Sequence, residues 1–389
     1  MLKATITEVK HRRATNNTAL HEVYQFIFES LLKMTVTAEY TVEQRAAMEE
    51  LKKRVGSEMK LELYEDTHLF YRFLKARDFN LDHAEIMLRK HLQWRKDFSL
   101  DTILNDYTPP EGLVKHFPGG LIGVDKNRCP VKYFAFGNLD PIGIRKAAKF
   151  SDIVKHIIQT TEREMIFLKK QSTEVGKELP GSVYICDFKD MPFSVATDKK
   201  ALEHSIYLSK MYQDNYPERL KAVYIINISP YFALFFNIIK TFLAAAIIKK
   251  IHFCSRDDFK NKLISVIDAD ELPAFLGGNK TDPDGNPMCV TFVNHAGKVP
   301  SKYFINKRTI PFSKVDGVQK LIVPRSSFSE IKLERLNTEE FTETGCFKCE
   351  KIGTYVLLFD NSYSWMRSKE LYYRVLVSNS KGLGEVPLD

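Results

Sequence analysis

The sequence feature that most constrains this fold is a long apolar segment that follows a short apolar run. The run, Val223 to Ile228, is bounded by a charged turn and by Ser229-Pro230, so it predicts a buried strand. Residues 232–251 then predict a helix that is apolar on both faces. A helix of that kind is buried in a core or contacts lipid. A membrane span needs about 20 apolar residues with few charges, and Lys240 lies near the middle of this segment.

Periodicity alone leaves two interpretations of this helix open. One is an ordinary core helix of a large α/β domain. The other is a mobile helix that covers an apolar cavity and can touch a bilayer. Under the second interpretation, six apolar residues of the helix are expected to act as gate and pocket lining: Phe232, Phe235, Phe236, Ile239, Phe242 and Ile247.

Composition narrows the class of protein. At 389 residues the chain is long enough for two or three domains. Its hydrophobic content of 44% and charged content of 27% are ordinary for a folded soluble protein. The net charge of +8 suits an anionic surface such as phospholipid headgroups. No dense run of lysine and arginine indicates a nucleic-acid partner, and the N-terminus lacks the apolar core of a secretory signal.

Cysteine usage and motifs argue against a metal site and against catalysis. The six cysteines are irregularly spaced, which is typical of reduced thiols in a cytosolic protein. Cys346 and Cys349 form a lone CxxC, whereas a zinc site needs about four ligands. The chain has no GxGxxG after a strand, no GxxxxGK[ST], no GxSxG and no HExxH, so no cofactor and no enzyme activity are predicted. Asp187 ends a predicted strand, where a turn-capping role is favoured over that of a catalytic base.

The first part of the chain predicts helices. Thr41, followed by Glu43 and Gln44, predicts a capped helix start, and Asp66 opens a second helix. A third helix is capped by Asn80 or Asp82. Short polar links between these helices imply a compact helical unit. Residues 21–34 predict an amphipathic helix in an N-terminal extension.

Further along, strands and helices alternate, which predicts an α/β domain with a mostly parallel sheet covered by helices. The predicted strands are 131–136, 183–186, 223–228 and 263–267, and the other predicted helices are 150–171, 202–212 and 270–275. Sites on such sheets usually lie beyond the carboxyl ends of the strands. A turn-rich linker follows, and the short alternating runs after residue 312 predict a small β-sandwich.

Five separated strings resemble one family. They are RFLKARDFNLDHAEIMLRKHLQWRK, DKNRCPV, YPERL with the apolar helix ending in KKI, DADELPAFLGG, and GTYVLLFDNSYSWMRSKELYYRVLV. Together they resemble the CRAL-TRIO lipid-transfer proteins with a C-terminal GOLD domain, of the supernatant protein factor and tocopherol-associated type. The resemblance divides the chain into five parts: an extension (1–40), a helical unit (41–104), a lipid-binding domain (105–280), a linker (281–311) and a GOLD-like sandwich (312–382). The sandwich is short, so it is either a truncated GOLD domain or a variant that lacks two strands.

The resemblance implies a cytosolic protein that associates peripherally with membranes. It would take a lipid of the phosphatidylinositol, phosphatidylcholine, squalene or tocopherol class under a mobile gate helix and exchange it at a membrane. Arg77, Glu218 and Lys250 match the family positions associated with headgroup binding. The alternative is a lipid-sensing adaptor that recruits a protein partner through the GOLD-like domain.

Two departures from the family concern the gate helix. Thr241 follows Lys240 where the family usually has proline, and residues 244–248 (AAAII) replace a charged turn. The gate is therefore more apolar than the resemblance alone implies. Stronger insertion into membranes or a more hydrophobic ligand would each follow from this difference.

Overall fold

The structure is a computed structural model that describes residues 40–305 and four short strands beyond them. These strands pair antiparallel in twos, β6 (Ser313–Lys314) with β7 (Tyr372–Tyr373) and β8 (Leu376–Asn379) with β9 (Gly382–Glu385). The amphipathic helix predicted at 21–34 and the CxxC lie outside the described residues. Most of the predicted sandwich also lies outside them.

Helices build the first part of the described chain, and their starts carry the predicted caps. Thr41 and Gln44 form a reciprocal capping box, in which each side chain accepts a hydrogen bond from the backbone N–H of the other. The side chains of Asp66 and Asn80 cap the next two long helices, so Asn80 and not Asp82 is the third cap. The helices are α1 (Val42–Val55), α2 (Leu61–Tyr64), α3 (Thr67–Lys75), α4 (Leu81–Asp97), α5 (Ile103–Asp106) and α6 (Glu111–His116).

A five-stranded sheet follows, in the order β1-β2-β3-β4-β5. Only β1 runs antiparallel to its neighbour, so the predicted α/β class with a mostly parallel sheet is confirmed. The strands are β1 (Gly120–Val124), β2 (Pro130–Ala135), β3 (Ser182–Asp187), β4 (Leu220–Ile226) and β5 (Ile251–Phe253). The sequence analysis missed β1 and β5, since neither carries a long apolar run.

Helices cover both faces of the sheet. They are α7 (Pro141–Ala147), α8 (Phe150–Val175), α9 (Phe193–Ala196), α10 (Lys199–Asn215), α11 (Phe232–Ile239), α12 (Ala245–Ile248) and α13 (Phe259–Val266). The strand predicted at 263–267 is wrong, because α13 runs through residues 263–266 and buries Phe259 and Leu263 four residues apart. The helix predicted at 270–275 is reduced to a 3₁₀ turn, Ala274–Leu276.

The long helix predicted at 232–251 is also wrong as one continuous element. Helix α11 passes into a 3₁₀ turn at Lys240–Phe242, and the backbone is then extended at Leu243 and Ala244. The side chain of Gln213 bridges this break: its amide donates to Phe242 O at 3.1 Å and accepts from Ala244 N at 2.8 Å. Ile251 pairs with Val223 as part of β5. Strand pairing and the Gln213 contacts therefore override the local helical pattern.

We call the two sides of the sheet the back face and the front face. The back face packs against α13 and the residues that follow it, and it forms one buried cluster. Its strand members are Ile122, Val131, Tyr133, Ala135, Val183, Ile185, Ala222, Tyr224 and Ile226. The front face is covered by α8, α10 and α11.

Candidate functional site

Strand register arranges the front face into two rows of side chains. The inner row comprises Lys132, Tyr184, Val223 and Ile251, and the outer row comprises Phe134, Cys186, Ile225 and Phe253. The outer row lies nearer the carboxyl ends of the parallel strands. This is the edge where sites on parallel sheets usually form.

The centre of the front face is deep but not fully packed. Tyr184, Cys186 and Val223 belong to the two central strands, yet each keeps accessible surface. Burial, with the neighbouring Asp187 carboxylate, raises the pKa of the Cys186 thiol to about 12. Protein interiors are otherwise close-packed. Side chains that are both deep and accessible border space that a ligand can occupy.

Helix α11 lies over the outer row. Phe232 is 4% exposed, and its ring lies 4.6 Å from that of Phe188 and 5.4 Å from that of Phe236. Phe235 and Phe236 are half-buried against the same apolar cluster, which includes Ile225. These three phenylalanines therefore contact the front face, and their role as gate and pocket lining stays a prediction.

The remaining predicted lining residues differ from one another in how exposed they are. Ile239 is buried and Ile247 is half-buried. Phe242 is 51% exposed and points away from the packed interior, so a lining role for it does not fit this conformation. Its position in the 3₁₀ turn after α11 explains the difference, because the helix has already ended there.

Several large apolar side chains in and around this segment are exposed to solvent. They are Tyr231, Leu234, Ile238, Phe242, Ile248 and Phe253, and Phe193 stacks edge-on against Tyr231. Exposed apolar side chains gathered in one segment mark a protein or membrane interaction site. Lys240 and Lys249 are exposed beside them. Within residues 40–305, none of the helices has the length and apolarity required to cross a bilayer.

Two of the three predicted headgroup residues meet at the start of β4. Glu218 Oε2 lies 3.9 Å from Lys250 Nζ, and Lys250 Nζ also donates to Leu220 O at 2.6 Å. Lys75 approaches the same Glu218 oxygen at 2.9 Å, and this hydrogen bond raises the pKa of Lys75. Glu218 adopts a left-handed backbone conformation with φ of 56°, which is uncommon for a residue other than glycine.

Arg77 does not join this group in the structure. Its guanidinium donates to Ala76 O at 2.8 Å, at the end of α3. The cation that α3 contributes to Glu218 is therefore Lys75, which the sequence analysis missed. A signal was available, because Lys75 precedes Arg77 by two residues in the string that carries the resemblance.

A second polar group is buried inside the front face, and we call it the inner polar cluster: Lys132, Glu164, Tyr184 and Tyr212. Lys132 Nζ lies 2.8 Å from Glu164 Oε2, and the two side chains are 9% and 2% exposed. Tyr184 Oη donates to Glu164 Oε1 at 3.0 Å and lies 3.2 Å from Tyr212 Oη. Burial, then the Glu164 carboxylate, raises the pKa of Tyr184 well above its ordinary value. The sequence analysis missed this cluster, although a lysine within an apolar strand was its signal.

Asp187 behaves as the turn-capping interpretation expects. Its carboxylate accepts from Lys189 N at 2.9 Å, from Asn227 Nδ2 at 3.1 Å and from Tyr133 Oη at 3.0 Å. These three donors hold it at the end of β3. In the described part of the chain, no three histidine, cysteine or acidic side chains are grouped to hold a metal ion.

Comparison with known proteins identifies two regions. Residues 115–278 match the CRAL/TRIO domain family, and residues 42–90 match the family of the CRAL/TRIO N-terminal domain. The crystal structure of Sfh5 is similar in fold, with a TM-score of 0.51 and 18% sequence identity, over 68% of this chain and 94% of that chain.

Several relatives are similar in sequence. The Arabidopsis thaliana phosphatidylinositol/phosphatidylcholine transfer proteins SFH4 and SFH7 are 33% and 35% identical, each over 57% of this chain. This chain spans only 36% and 41% of the length of those two proteins. Protein ctg-1 of Caenorhabditis elegans is 24% identical over 79% of this chain and 90% of its own length.

Proposed function

We propose that this chain, which carries a CRAL/TRIO domain together with its N-terminal domain, binds a lipid on the front face of its sheet and transfers it between membranes. The observation that carries this proposal is the incompletely packed centre of the front face beneath α11. The plant relatives named as phosphatidylinositol/phosphatidylcholine transfer proteins support the same function.

The energetics of tail burial determine where exchange takes place. Each buried CH₂ group stabilises the complex by about 0.8 kcal/mol, so an acyl or isoprenoid tail binds tightly. Escape of the tail into water is correspondingly slow. Exchange is therefore expected at a membrane, and cytoplasmic localisation with peripheral membrane association stays part of the proposal.

Helix α11 is the proposed gate. The break at Leu243 and Ala244 lets α11 leave the sheet without moving β5. Opening exposes Phe232 and Phe236, and the membrane interface receives them together with the apolar side chains that are already exposed. Because the exposed side chains are present in the closed state, they serve as the first contact with the bilayer.

The candidate ligands are phosphatidylinositol, phosphatidylcholine, squalene and tocopherol. The carboxylate and two ammonium groups of Glu218, Lys250 and Lys75 suit a headgroup that carries hydroxyls and a phosphate. Arg77 stays a predicted headgroup residue, although here it bonds to its own helix end.

The test uses the purified full chain and vesicles of phosphatidylcholine and phosphatidylinositol that contain traces of tocopherol and squalene. Mass spectrometry of the re-isolated protein should find about one lipid per chain, and the protein should speed transfer between vesicles. Replacing the exposed Leu234 and Phe242 by serine should slow transfer about tenfold and leave the amount of bound lipid unchanged, because these side chains touch the bilayer and not the ligand. A native protein that retains no lipid contradicts the proposal.

The adaptor alternative depends on the predicted GOLD-like sandwich at 312–382 and stays a prediction. The same experiment separates it from transfer. A protein that retains one lipid per chain but does not speed exchange between vesicles favours the adaptor.

A further inference from the structure

We infer that residues 232–249 form a helix switch, which the side chain of Gln213 on α10 holds in a broken form. The segment is broken at Leu243 and Ala244 while the gate is closed, and it becomes one continuous helix when the gate opens onto a membrane. The inference rests on the proposed function and names the conformational change that controls the same site.

The backbone of this segment is already helical on both sides of the break. Helix α11 and the 3₁₀ turn after it carry helical conformation to Phe242, and α12 carries it on to Lys249. Between them, Leu243 has ψ of 137° and Ala244 has ψ of 145°. Rotating ψ of these two residues to the α-helical value of about −42° joins the two helices. The change from the broken to the continuous form is therefore local.

The sequence of the segment favours the continuous form. Residues 231–249 contain neither proline nor glycine, the two residue types that disfavour a helix interior most strongly. Residues 244–246 are three alanines, and alanine has the highest helix propensity. Ala244 is also a poor N-cap for α12, because its side chain has no acceptor for the first N–H groups of that helix. Local sequence therefore does not explain the break.

Gln213 supplies the hydrogen bonds that the break requires. A helix end leaves backbone groups without partners. Here Phe242 O accepts from Gln213 Nε2 at 3.1 Å, and Ala244 N donates to Gln213 Oε1 at 2.8 Å. Gln213 Nε2 also donates to Ser209 O at 3.1 Å, one turn earlier on α10, which fixes the position of the amide. Both backbone groups at the break are therefore satisfied by one side chain.

The other contacts that hold the segment closed are apolar. Within residues 40–305, the hydrogen bonds that join residues 231–249 to an element beyond their flanking turns are the two from Gln213. Phe232 and Ile239 are buried in the closed form and provide the apolar part of the attachment. A membrane interface can replace apolar contacts, but it does not replace the two amide bonds. Gln213 is therefore the polar contact that opening must break.

Water and a membrane favour different forms of the segment. In a membrane interface, apolar side chains gain contact with lipid and backbone groups lose water as a partner, so hydrogen bonds within one helix are favoured. In a continuous helix, Phe242 O accepts from Ala246 N, and Ala244 N donates to Lys240 O. The two backbone groups at the break are then satisfied without Gln213. In water, the closed form is favoured because it buries apolar side chains.

The connections to the sheet are long enough for the continuous form. A helix of residues 232–249 is about 27 Å long. Strand β5 begins at Ile251, opposite a residue three positions before the end of β4 at Ile226, so the two strand ends lie about 11 Å apart. Residues 227–231 and Lys250 together extend to about 20 Å, which exceeds the difference of about 16 Å. Strand β5 therefore keeps its pairing with β4.

A proline at the start of α12 distinguishes the two forms. Ala245 is the first residue of α12, a position where proline is well tolerated. Ala244 before it already has the extended conformation that a residue preceding proline prefers. In the continuous helix the same proline would be interior, where it removes a hydrogen bond and clashes with Thr241 O. Ala245→Pro should therefore fold and bind lipid, but it should transfer lipid between phosphatidylcholine and phosphatidylinositol vesicles at least about tenfold more slowly.

The variant Gln213→Ala should have the opposite effect. It removes both hydrogen bonds of the broken form, so transfer should accelerate about fivefold. The matched control is Gln159→Ala on α8, because Gln159 also donates to two backbone carbonyls, Ile103 O at 3.1 Å and Tyr107 O at 2.8 Å, away from the segment. It should leave transfer per folded molecule unchanged. Gln213→Ala combined with Ala245→Pro should transfer as slowly as Ala245→Pro alone.

Amide hydrogen exchange measured by mass spectrometry follows the backbone of the segment directly. When the native protein binds vesicles, exchange at residues 243–247 should slow at least about tenfold, because these amides enter a helix. Ala245→Pro should remove most of this slowing while leaving exchange in solution close to native. The same variant therefore distinguishes helix formation from simple shielding by lipid.

The outcomes separate the inference from the proposed function. A native protein that binds no lipid and transfers none contradicts the proposed function itself. If the native protein transfers lipid and Ala245→Pro matches it in transfer rate and in exchange on vesicles, the helix switch is overturned and the proposed function is not. If Gln213→Ala and Gln159→Ala change transfer per folded molecule equally, Gln213 does not hold the segment, and the inference is overturned as well.

Discussion

The two faces of the sheet differ sharply, although they are built from alternating residues of the same strands. On β3, Val183 and Ile185 point to the back face and are 2% and 0% exposed. Their neighbours Tyr184 and Cys186 point to the front face and keep accessible surface. Because strand side chains alternate, one strand can serve stability on one side and ligand binding on the other.

The two faces of the sheet also differ in the polar groups that they bury. On the back face, the polar groups of the strands are the hydroxyl groups of Tyr133 and Tyr224 and the Asp187 carboxylate, which accepts from Tyr133 Oη at 3.0 Å at the end of β3. The front face holds a buried ion pair, and the unpaired His156 nitrogen lies on α8, which covers it. Natural proteins tolerate such costly groups mainly where function requires them. The comparison therefore predicts that back-face changes affect stability and front-face changes affect lipid binding.

The largest expected effect is on stability. Ile185→Ala should lower the free energy of unfolding by about 2–5 kcal/mol, because it leaves a cavity in a fully packed cluster. Val223→Ala on the front face should cost about 1 kcal/mol or less, since that side chain is only half-buried. Urea denaturation measures both.

The second measurement on the same two variants is the amount of lipid bound per folded molecule. Ile185→Ala should leave loading unchanged, and Val223→Ala should alter it. Equal losses of stability in the two variants would show that the front face is packed as tightly as the back.

The next largest effect is on the pH dependence of folding stability, through buried histidines in and next to the helices on the front side of the sheet. Burial lowers the pKa of His91 to about 3, and those of His156 and His204 to about 4. These residues lie on α8, α10 and the adjacent α4, whose His91 Nδ1 lies 3.1 Å from Asn215 Oδ1 at the end of α10. Unfolded histidine titrates near 6.5, so below that pH the unfolded chain binds more protons than the folded one. Stability is therefore complete above pH 6.5 and falls as the pH drops towards 4.

Each such histidine contributes a slope of up to about 1.4 kcal/mol per pH unit in that window. His91→Gln should remove about one proton from the pH dependence of the unfolding free energy between pH 6 and 4. His83→Gln, at an exposed position of the same helix, is the control and should leave the slope unchanged. A slope that is identical in all three proteins would assign the acid sensitivity to other groups.

Local signals explain what could be predicted of the fold. The caps at Thr41 and Asp66 and the long helix α8 depend on nearby residues and were predicted, and Asn80 was one of the two caps predicted for the third helix. The end of α11 depends on contacts with Gln213, far earlier in the chain, and on pairing with β4. No local pattern contains that information.

The residues of the candidate site also fall into those that the sequence could predict and those whose position required the fold. Glu218 and Lys250 were found through a resemblance, and the structure brings them together. The ion pair of Lys132 and Glu164 joins β2 to α8 across an intervening helix, and its formation depends on tertiary packing. An isolated lysine in an apolar strand could have indicated Lys132 as one partner. The position of Glu164, the other partner, could be known only from the fold.

The smallest expected effect concerns the group around Glu218, and it extends the comparison from the two faces to the edge of the sheet. Lys250→Ala with Glu218→Ala should reduce phosphatidylinositol loading about fivefold, because these partly exposed charges contribute no more than about 1 kcal/mol each. Loading of squalene should not change, since squalene has no group for these charges to bind. Lys75→Ala should give a smaller loss in the same direction, and Lys249→Ala, at an exposed neighbouring position, should give none. An equal loss of phosphatidylinositol and squalene would mean that Glu218 and Lys250 hold the turn before β4 and do not select the headgroup.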